Sequence, residues 1–73
     1  MIFTKRLTGQ GHSRELTIEQ NITSGWIARE HEDSAIRTSL FHDWRQVEMA
    51  IALFELKALA LQNQGWAEMP QKV

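Results

Sequence analysis

Hydrophobic and polar positions alternate along the first 41 residues of the chain. The clearest alternation covers residues 14–22, where Leu16, Ile18 and Ile22 are separated by polar side chains, as in a strand with one buried face. Shorter patterns predict three more strands, over residues 2–8, 26–31 and 35–41. Turn-forming residues lie between them, at 9–13, 23–25 and 32–34. Short turns between successive strands favour an antiparallel meander.

One long helix is predicted after the fourth strand. Asp43 can cap its first turn, and Gln46, three residues on, completes a capping-box pattern. Gly65 is expected to end the helix, because glycine readily adopts the left-handed conformation just past a helix. Trp66 then falls where a Schellman motif packs its hydrophobic contact against Leu61.

These elements predict a single α+β domain over residues 1–66. Its architecture is a four-stranded antiparallel meander followed by one long C-terminal helix packed on one sheet face (ββββα). Residues 67–73 are expected to form a frayed C-terminal tail. A chain of 73 residues buries only about 60% of the surface that its unfolded form exposes. Small domains of this kind often gain stability from a partner subunit.

The helix has two apolar faces. We call the first the inner face, which should cover the sheet; it consists of Val47, Ile51, Phe54, Ala58 and Leu61. We call the second the outer face. Its members have the spacing of a coiled-coil interface and are Met49, Leu53, Leu56 and Ala60, widened by Ala52 and Leu59.

The outer face is the main candidate for an interaction site. A single helix on an open sheet leaves nothing in the chain to cover it, and a contiguous exposed apolar patch usually marks a binding surface. The economical solution is a homodimer in which the helix packs on its copy, or else a protein partner on the same face. The alternative is that alanine and leucine were selected for helix propensity and tolerate exposure.

Composition narrows the functional classes. Eight Lys and Arg against nine Asp and Glu give a net charge of −1, so the chain lacks the basic excess typical of nucleic-acid-binding proteins. There is no cysteine, which excludes disulfides and thiolate metal sites and fits a cytoplasmic location. The longest apolar-rich segment, residues 49–61, is too short and too charged to span a bilayer, so no membrane association is expected.

A nucleic-acid-binding module is the rival hypothesis. It assigns phosphate contacts to basic residues on the open sheet face and base stacking to an aromatic one, namely Arg14, Arg29, Arg37 and Trp26. In the alternative interpretation, Glu15, Glu19 and Glu30 neutralise these charges in cross-strand pairs.

Catalytic and cofactor motifs are not recognisable, so we expect neither an enzyme nor a bound cofactor. A third hypothesis is a small ligand- or metal-binding domain around His31, whose neighbours Glu30, Glu32 and Asp33 offer oxygen ligands. Adjacent strand residues point to opposite faces of a sheet, however, and the segment lacks a metal-binding spacing. A polar turn is the simpler interpretation.

The stretch from Trp26 to Trp66 resembles WGR-type modules, in which strands lead into one helix. The matching positions are Phe41, Val47, Glu48, Ala50, Phe54, Lys57, Gly65 and Trp66. The resemblance implies nucleic-acid contact, although Ile27-Ala28-Arg29 follows Trp26 where the family has its defining Trp-Gly-Arg strand. The matched positions are packing positions, so the resemblance transfers no functional residue.

Overall fold

The computed structural model describes residues 2–21, 23 and 25–69, which form one antiparallel sheet and one helix. The chain order is β1 (Phe3–Gly9), β2 (His12–Asn21), β3 (Gly25–Glu32), β4 (Ala35–Phe41), α1 (Trp44–Asn63) and β5 (Ala67–Glu68). The spatial order of the strands is β4-β3-β2-β1-β5. The predicted α+β class and the four-stranded meander followed by a helix are thus confirmed, and a short fifth strand is added.

Tight turns set the register of the meander. Gly9 pairs with His12 across the Gln10-Gly11 turn, where both central residues have positive φ, as in a type I′ hairpin. At the β3–β4 turn, Glu32 pairs with Ala35. Its first central residue, Asp33, has a φ of 55°. Each turn contains only two residues, so β2 begins two residues earlier than the sequence pattern predicts.

The sheet has a helix-side face and an open face. Leu7, Leu16, Ile18 and Ala28 lie on the helix-side face and are at most 5% exposed. The register places Phe3, Ile18, Ala28 and Ser39 side by side across four strands of this face. The core therefore lies between one sheet face and α1, as expected for a two-layer α+β domain.

Both ends of α1 follow the sequence prediction. The Asp43 carboxylate accepts a hydrogen bond from the Arg45 N–H at 2.9 Å, and the Gln46 side chain accepts one from the Asp43 N–H at 3.3 Å. At the other end, the Gly65 N–H donates to the Gln62 carbonyl at 3.0 Å. The Trp66 N–H donates to the Leu61 carbonyl at 3.1 Å. This pair of bonds is the Schellman motif, and Gly65 supplies its positive φ of 99°.

The inner face of α1 covers the sheet as predicted. Val47, Phe54 and Ala58 are buried in the core, and Ile51 and Leu61 pack against it partly buried. A helix that covers an open sheet can bury one of its faces in this way and no more. The outer face consequently points away from the sheet.

The predicted frayed tail is wrong for the residues just after the helix. Ala67 and Glu68 pair with Thr8 and Leu7 as strand β5, and the Met69 N–H donates to the Arg6 carbonyl at 2.8 Å. Trp66 reverses the chain and is only 9% exposed, so its burial brings β5 to the edge of β1. Residues 70–73 of the predicted tail lie outside the described residues.

Candidate interaction surface on the helix

The outer face of α1 is exposed over its whole length. Met49, Leu53, Leu56 and Leu59 are 61%, 56%, 65% and 58% exposed, and Ala52 and Ala60 lie among them, also exposed. Four of these residues, Met49, Leu53, Leu56 and Ala60, are the interface set that the sequence pattern predicts. They occupy one side of the helix because their spacing follows its turn. The apolar patch expected from the sequence therefore exists as a continuous ridge.

The charged residues bordering this ridge reach back to the sheet. On one side, Glu55 Oε2 lies 2.8 Å from Lys5 Nζ, which also lies 3.5 Å from Glu68 Oε1. The hydrogen bond and charge of Glu55, followed by Glu68, raise the pKa of Lys5 against the opposing effect of desolvation. On the other side, Lys57 Nζ lies 3.3 Å from Glu30 Oε2. The charges of Glu55 and Lys57 at the two borders of the ridge are therefore locally neutralised.

Shallow apolar grooves flank the ridge. Ala52, Leu56 and Leu59 line a groove on the β1 side of the helix, bordered by Lys5 and Glu55. A second groove on the β4 side has a wall of Met49, Ala50, Leu53 and Phe41, closed at its end by Arg45 and Gln46. Helices associate by fitting ridges of side chains into grooves. The outer face thus offers both the ridge and the grooves that such packing requires.

The proposed nucleic-acid residues do not share the open face. Arg29 lies there, across from Thr38 in the neighbouring strand. Arg14 lies two residues from the buried Leu16 in β2, and Arg37 pairs with Glu30, which lies two residues from the buried Ala28 in β3. Both arginines are therefore on the helix-side face. The expectation that this set shares the open sheet face is therefore wrong, because successive residues of a strand point to opposite faces.

Trp26, the fourth member of that set, also lies on the helix-side face. Its ring centroid is 5.3 Å from that of Trp44 at an interplanar angle of 61°, an edge-to-face contact across the sheet–helix boundary. Trp26 is partly buried against the core. It therefore joins the start of α1 to β3, and it is not available to stack on a base at the open face.

Acidic neighbours neutralise part of the basic set, as the alternative interpretation proposed. On the open face, Arg29 Nη1 lies 3.6 Å from Glu19 Oε2. On the helix-side face, Arg14 Nη2 lies 3.5 Å from Glu32 Oε1. Among the described residues, Arg37 makes no ion pair. Two faces with mixed charges of this kind do not form a basic patch for phosphate contacts.

His12 and His31 lie on opposite faces of the sheet. His31 faces Glu15 and Ile36 on the open face, whereas Glu30 and Glu32 lie on the helix side. His12 Nδ1 lies 2.9 Å from Asp33 Oδ2, and Asp33 Oδ1 accepts a hydrogen bond from the Ser13 N–H at 2.9 Å. The part of the chain described by the structure contains no cluster of three or more His, Asp and Glu residues that could hold a metal ion.

Ile36 and Leu40 were missed as candidate surface residues. They are 61% and 48% exposed on the open face of β4. The signal was present in the sequence, because Phe41 packs against the core and residues of opposite parity in the same strand must face the other way.

Comparisons with known protein families, with curated proteins and with solved structures find no match. The resemblance to WGR-type modules therefore stays an expectation from the sequence. Within the described residues, no helix is long and apolar enough to cross a membrane.

Proposed function

We propose that this chain is a small, non-enzymatic interaction domain that homodimerises through the outer face of its helix. The observation that carries the proposal is the ridge along the outer face of α1. Its four large side chains, Met49, Leu53, Leu56 and Leu59, are each more than half exposed. Exposed apolar area of this kind is typical of interaction sites. We expect the domain to act in the cytoplasm, because its chain contains no cysteine.

The pattern of charges favours a second copy as the occupant. In a two-fold dimer, an unpaired charge close to the axis lies near the same charge on the partner. Here Glu55 and Lys57, at the two borders of the ridge, are already paired with Lys5 and Glu30 of the same chain. A second copy therefore meets a largely neutral apolar surface and has no repulsion to overcome at these two residues.

The exposed area sets the expected affinity. Burying a large aliphatic side chain completely contributes about 1.5–3 kcal/mol, so covering the exposed part of each ridge residue contributes about 1–1.5 kcal/mol. Four residues in each of two copies give about 8–12 kcal/mol. Association itself costs at least about 4 kcal/mol. We therefore expect a dissociation constant in the micromolar range or weaker.

A nucleic-acid-binding function is less well supported. Arg14 and Arg37 lie on the opposite sheet face from Arg29, and Arg29 has Glu19 as its partner. Retention on DNA or RNA at low salt that is lost on replacing Arg29 would revive that hypothesis.

Charging the ridge tests the proposal. Leu56 is the most exposed ridge residue, so Leu56→Lys should leave the monomer folded. In the dimer it removes apolar burial from both copies, about 2–3 kcal/mol in total, and adds a buried charge. Sedimentation velocity should show the dissociation constant rising at least about 30-fold.

Gln64→Lys is the matched control, since it adds the same charge at the exposed polar C-cap of the same helix, outside the ridge and the two grooves described above. It should leave the dissociation constant within about threefold of the wild-type value. A dimer that Leu56→Lys leaves intact, or that both variants weaken equally, would refute an interface on the outer face.

A further inference from the structure

Strand β4 ends the sheet with an edge that is unpaired within the described residues. Within the described part of the chain, β3 is its neighbour on one side and no strand pairs with it on the other. The opposite edge is different, because β5 covers part of β1. Edge strands are usually protected by proline, by a bulge or by several charged side chains. The sequence of β4, AIRTSLF, has no proline and contains one charged residue, Arg37, on the helix-side face.

The free backbone groups and the exposed apolar side chains of β4 belong to the same residues. In a two-residue hairpin, the pair that flanks the turn is hydrogen-bonded, and hydrogen-bonded pairs then alternate along the strands. Glu32 and Ala35 flank this turn. The backbone N–H and C=O groups of Ile36, Thr38 and Leu40 therefore point to the free edge.

We propose that β4 pairs antiparallel with β4 of a second copy, with Thr38 on the two-fold axis. This register pairs all seven residues of the strand. On the open face, Ile36 of each copy then lies beside Leu40 of the other. These two symmetric pairs cover both exposed apolar side chains of the strand. On the helix-side face it sets Arg37 against Ser39, so like charges do not meet.

Neighbouring symmetric registers are poorer. A two-fold axis at Arg37 places this guanidinium opposite its own copy, which destabilises a cross-strand pair. An axis at Ser39 pairs residues 37–41 only, and it leaves Ile36 outside the paired strands. Thr38 is thus the centre at which the sequence of β4 is self-complementary.

This contact is separate from the outer face of α1. The edge strand and the helix ridge occupy different parts of the surface, so one copy can use both. Two different two-fold contacts on one chain build a tetramer or a longer assembly, depending on the angle between their axes. The edge pairing is consequently tested in the Leu56→Lys background, where its outcome does not depend on the helix contact.

Charge complementation provides the first test. Ile36 and Leu40 are replaced together in two variants, I36K/L40K and I36E/L40E, and circular dichroism checks that both stay folded. Each variant alone should associate at least about tenfold more weakly than the Leu56→Lys parent, since like charges meet in both pairs. An equimolar mixture should recover association, since each lysine then meets a glutamate. A monomeric parent at millimolar concentration, or a mixture no stronger than its components, would overturn the proposal.

Disulfide formation tests the register. The chain has no cysteine, so Thr38→Cys introduces a single thiol that should face its own counterpart. Cα atoms of a hydrogen-bonded antiparallel pair lie about 5.5 Å apart, within disulfide range. Leu40→Cys is the matched control, because position 40 should face position 36. Thr38→Cys should oxidise to a covalent dimer several-fold faster than Leu40→Cys; equal rates would exclude the Thr38-centred register.

Discussion

Replacing Gly9 with alanine should destabilise the domain through Trp66. Gly9 ends β1, and the indole of Trp66 packs directly on its Cα. A Cβ added at Gly9 would lie 2.5 Å from Cγ of Trp66 and 2.8 Å from both Cδ1 and Cδ2. Carbon atoms in ordinary contact are about 3.5–4 Å apart. The indole must therefore withdraw by about 1 Å, although Trp66 is only 9% exposed and carries the chain from α1 into β5.

The size of the effect follows from what the displacement removes. Overpacking a close-packed site costs about 1–3 kcal/mol, and losing a buried aromatic side chain altogether costs about 3–5 kcal/mol. Alanine is otherwise favoured over glycine within a strand, by about 0.5–1 kcal/mol. We expect Gly9→Ala to lower the free energy of unfolding by about 2–3 kcal/mol.

A double-mutant cycle with Trp66→Ala assigns this cost to the contact. Urea denaturation is followed by circular dichroism in the Leu56→Lys background at low protein concentration, which keeps both proposed contacts between copies out of the measured free energy. Without the indole, Gly9→Ala should be neutral or slightly stabilising, so the two substitutions should couple by about 2–4 kcal/mol. The same loss in both backgrounds, or a Gly9→Ala cost below about 0.5 kcal/mol, would refute the proposed packing.

Two further predictions concern the inner face and the β3–β4 turn. Phe54→Ala should cost about 3–5 kcal/mol of folding stability. Leu53→Ala, at the neighbouring exposed position, should cost less than about 1 kcal/mol in the Leu56→Lys background. Equal costs measured by urea denaturation would contradict the assignment of the inner and outer faces. The hydrogen bond from Ser13, followed by the contact with His12, lowers the pKa of Asp33 below its ordinary 3.8. A lowered folded-state pKa gives stability that is present above pH 3.8 and is lost as the pH falls through the folded value. The difference in unfolding free energy between the wild type and Asp33→Asn should therefore shrink as the pH falls below 3.8. A difference that does not change with pH, measured by urea denaturation, would show that the Asp33 carboxylate is not stabilised by Ser13 and His12.

The sequence was sufficient to predict those elements whose signals are local. The capping residues Asp43 and Gln46, and Gly65 at the helix end, act within a few residues of their own positions, so the bounds of α1 follow from them. Alternation likewise predicted the four strands, because one face of each is buried more than the other. The exact bounds of the turns at Gln10-Gly11 and at Asp33 were harder to predict. The polar residues beside each turn look like part of a loop in the sequence, but in the structure they belong to the strands.

Contacts between distant segments could not be predicted in the same way. Strand β5 depends on the fit of Trp66 against Gly9, which touch in the fold but lie far apart in the sequence, and a two-residue strand has no periodicity of its own. For the candidate site, the helical repeat was enough to predict the exposed ridge. The open-face position predicted for Arg14, Arg37 and Trp26 was wrong. These residues come from three different strands, and the face that each occupies depends on a register that composition does not reveal.

The central claim is tested most directly by light scattering of the wild-type chain over a concentration series, with Leu56→Lys and Gln64→Lys as the comparison variants. The account predicts that the wild-type mass rises with concentration from 8.5 kDa to at least twice that value. The mass of Gln64→Lys should follow that of the wild type, and Leu56→Lys should need much higher concentrations before its mass rises. A wild-type mass that stays at 8.5 kDa up to millimolar concentration, or a Leu56→Lys curve that coincides with the wild type, would contradict dimerisation through the outer face.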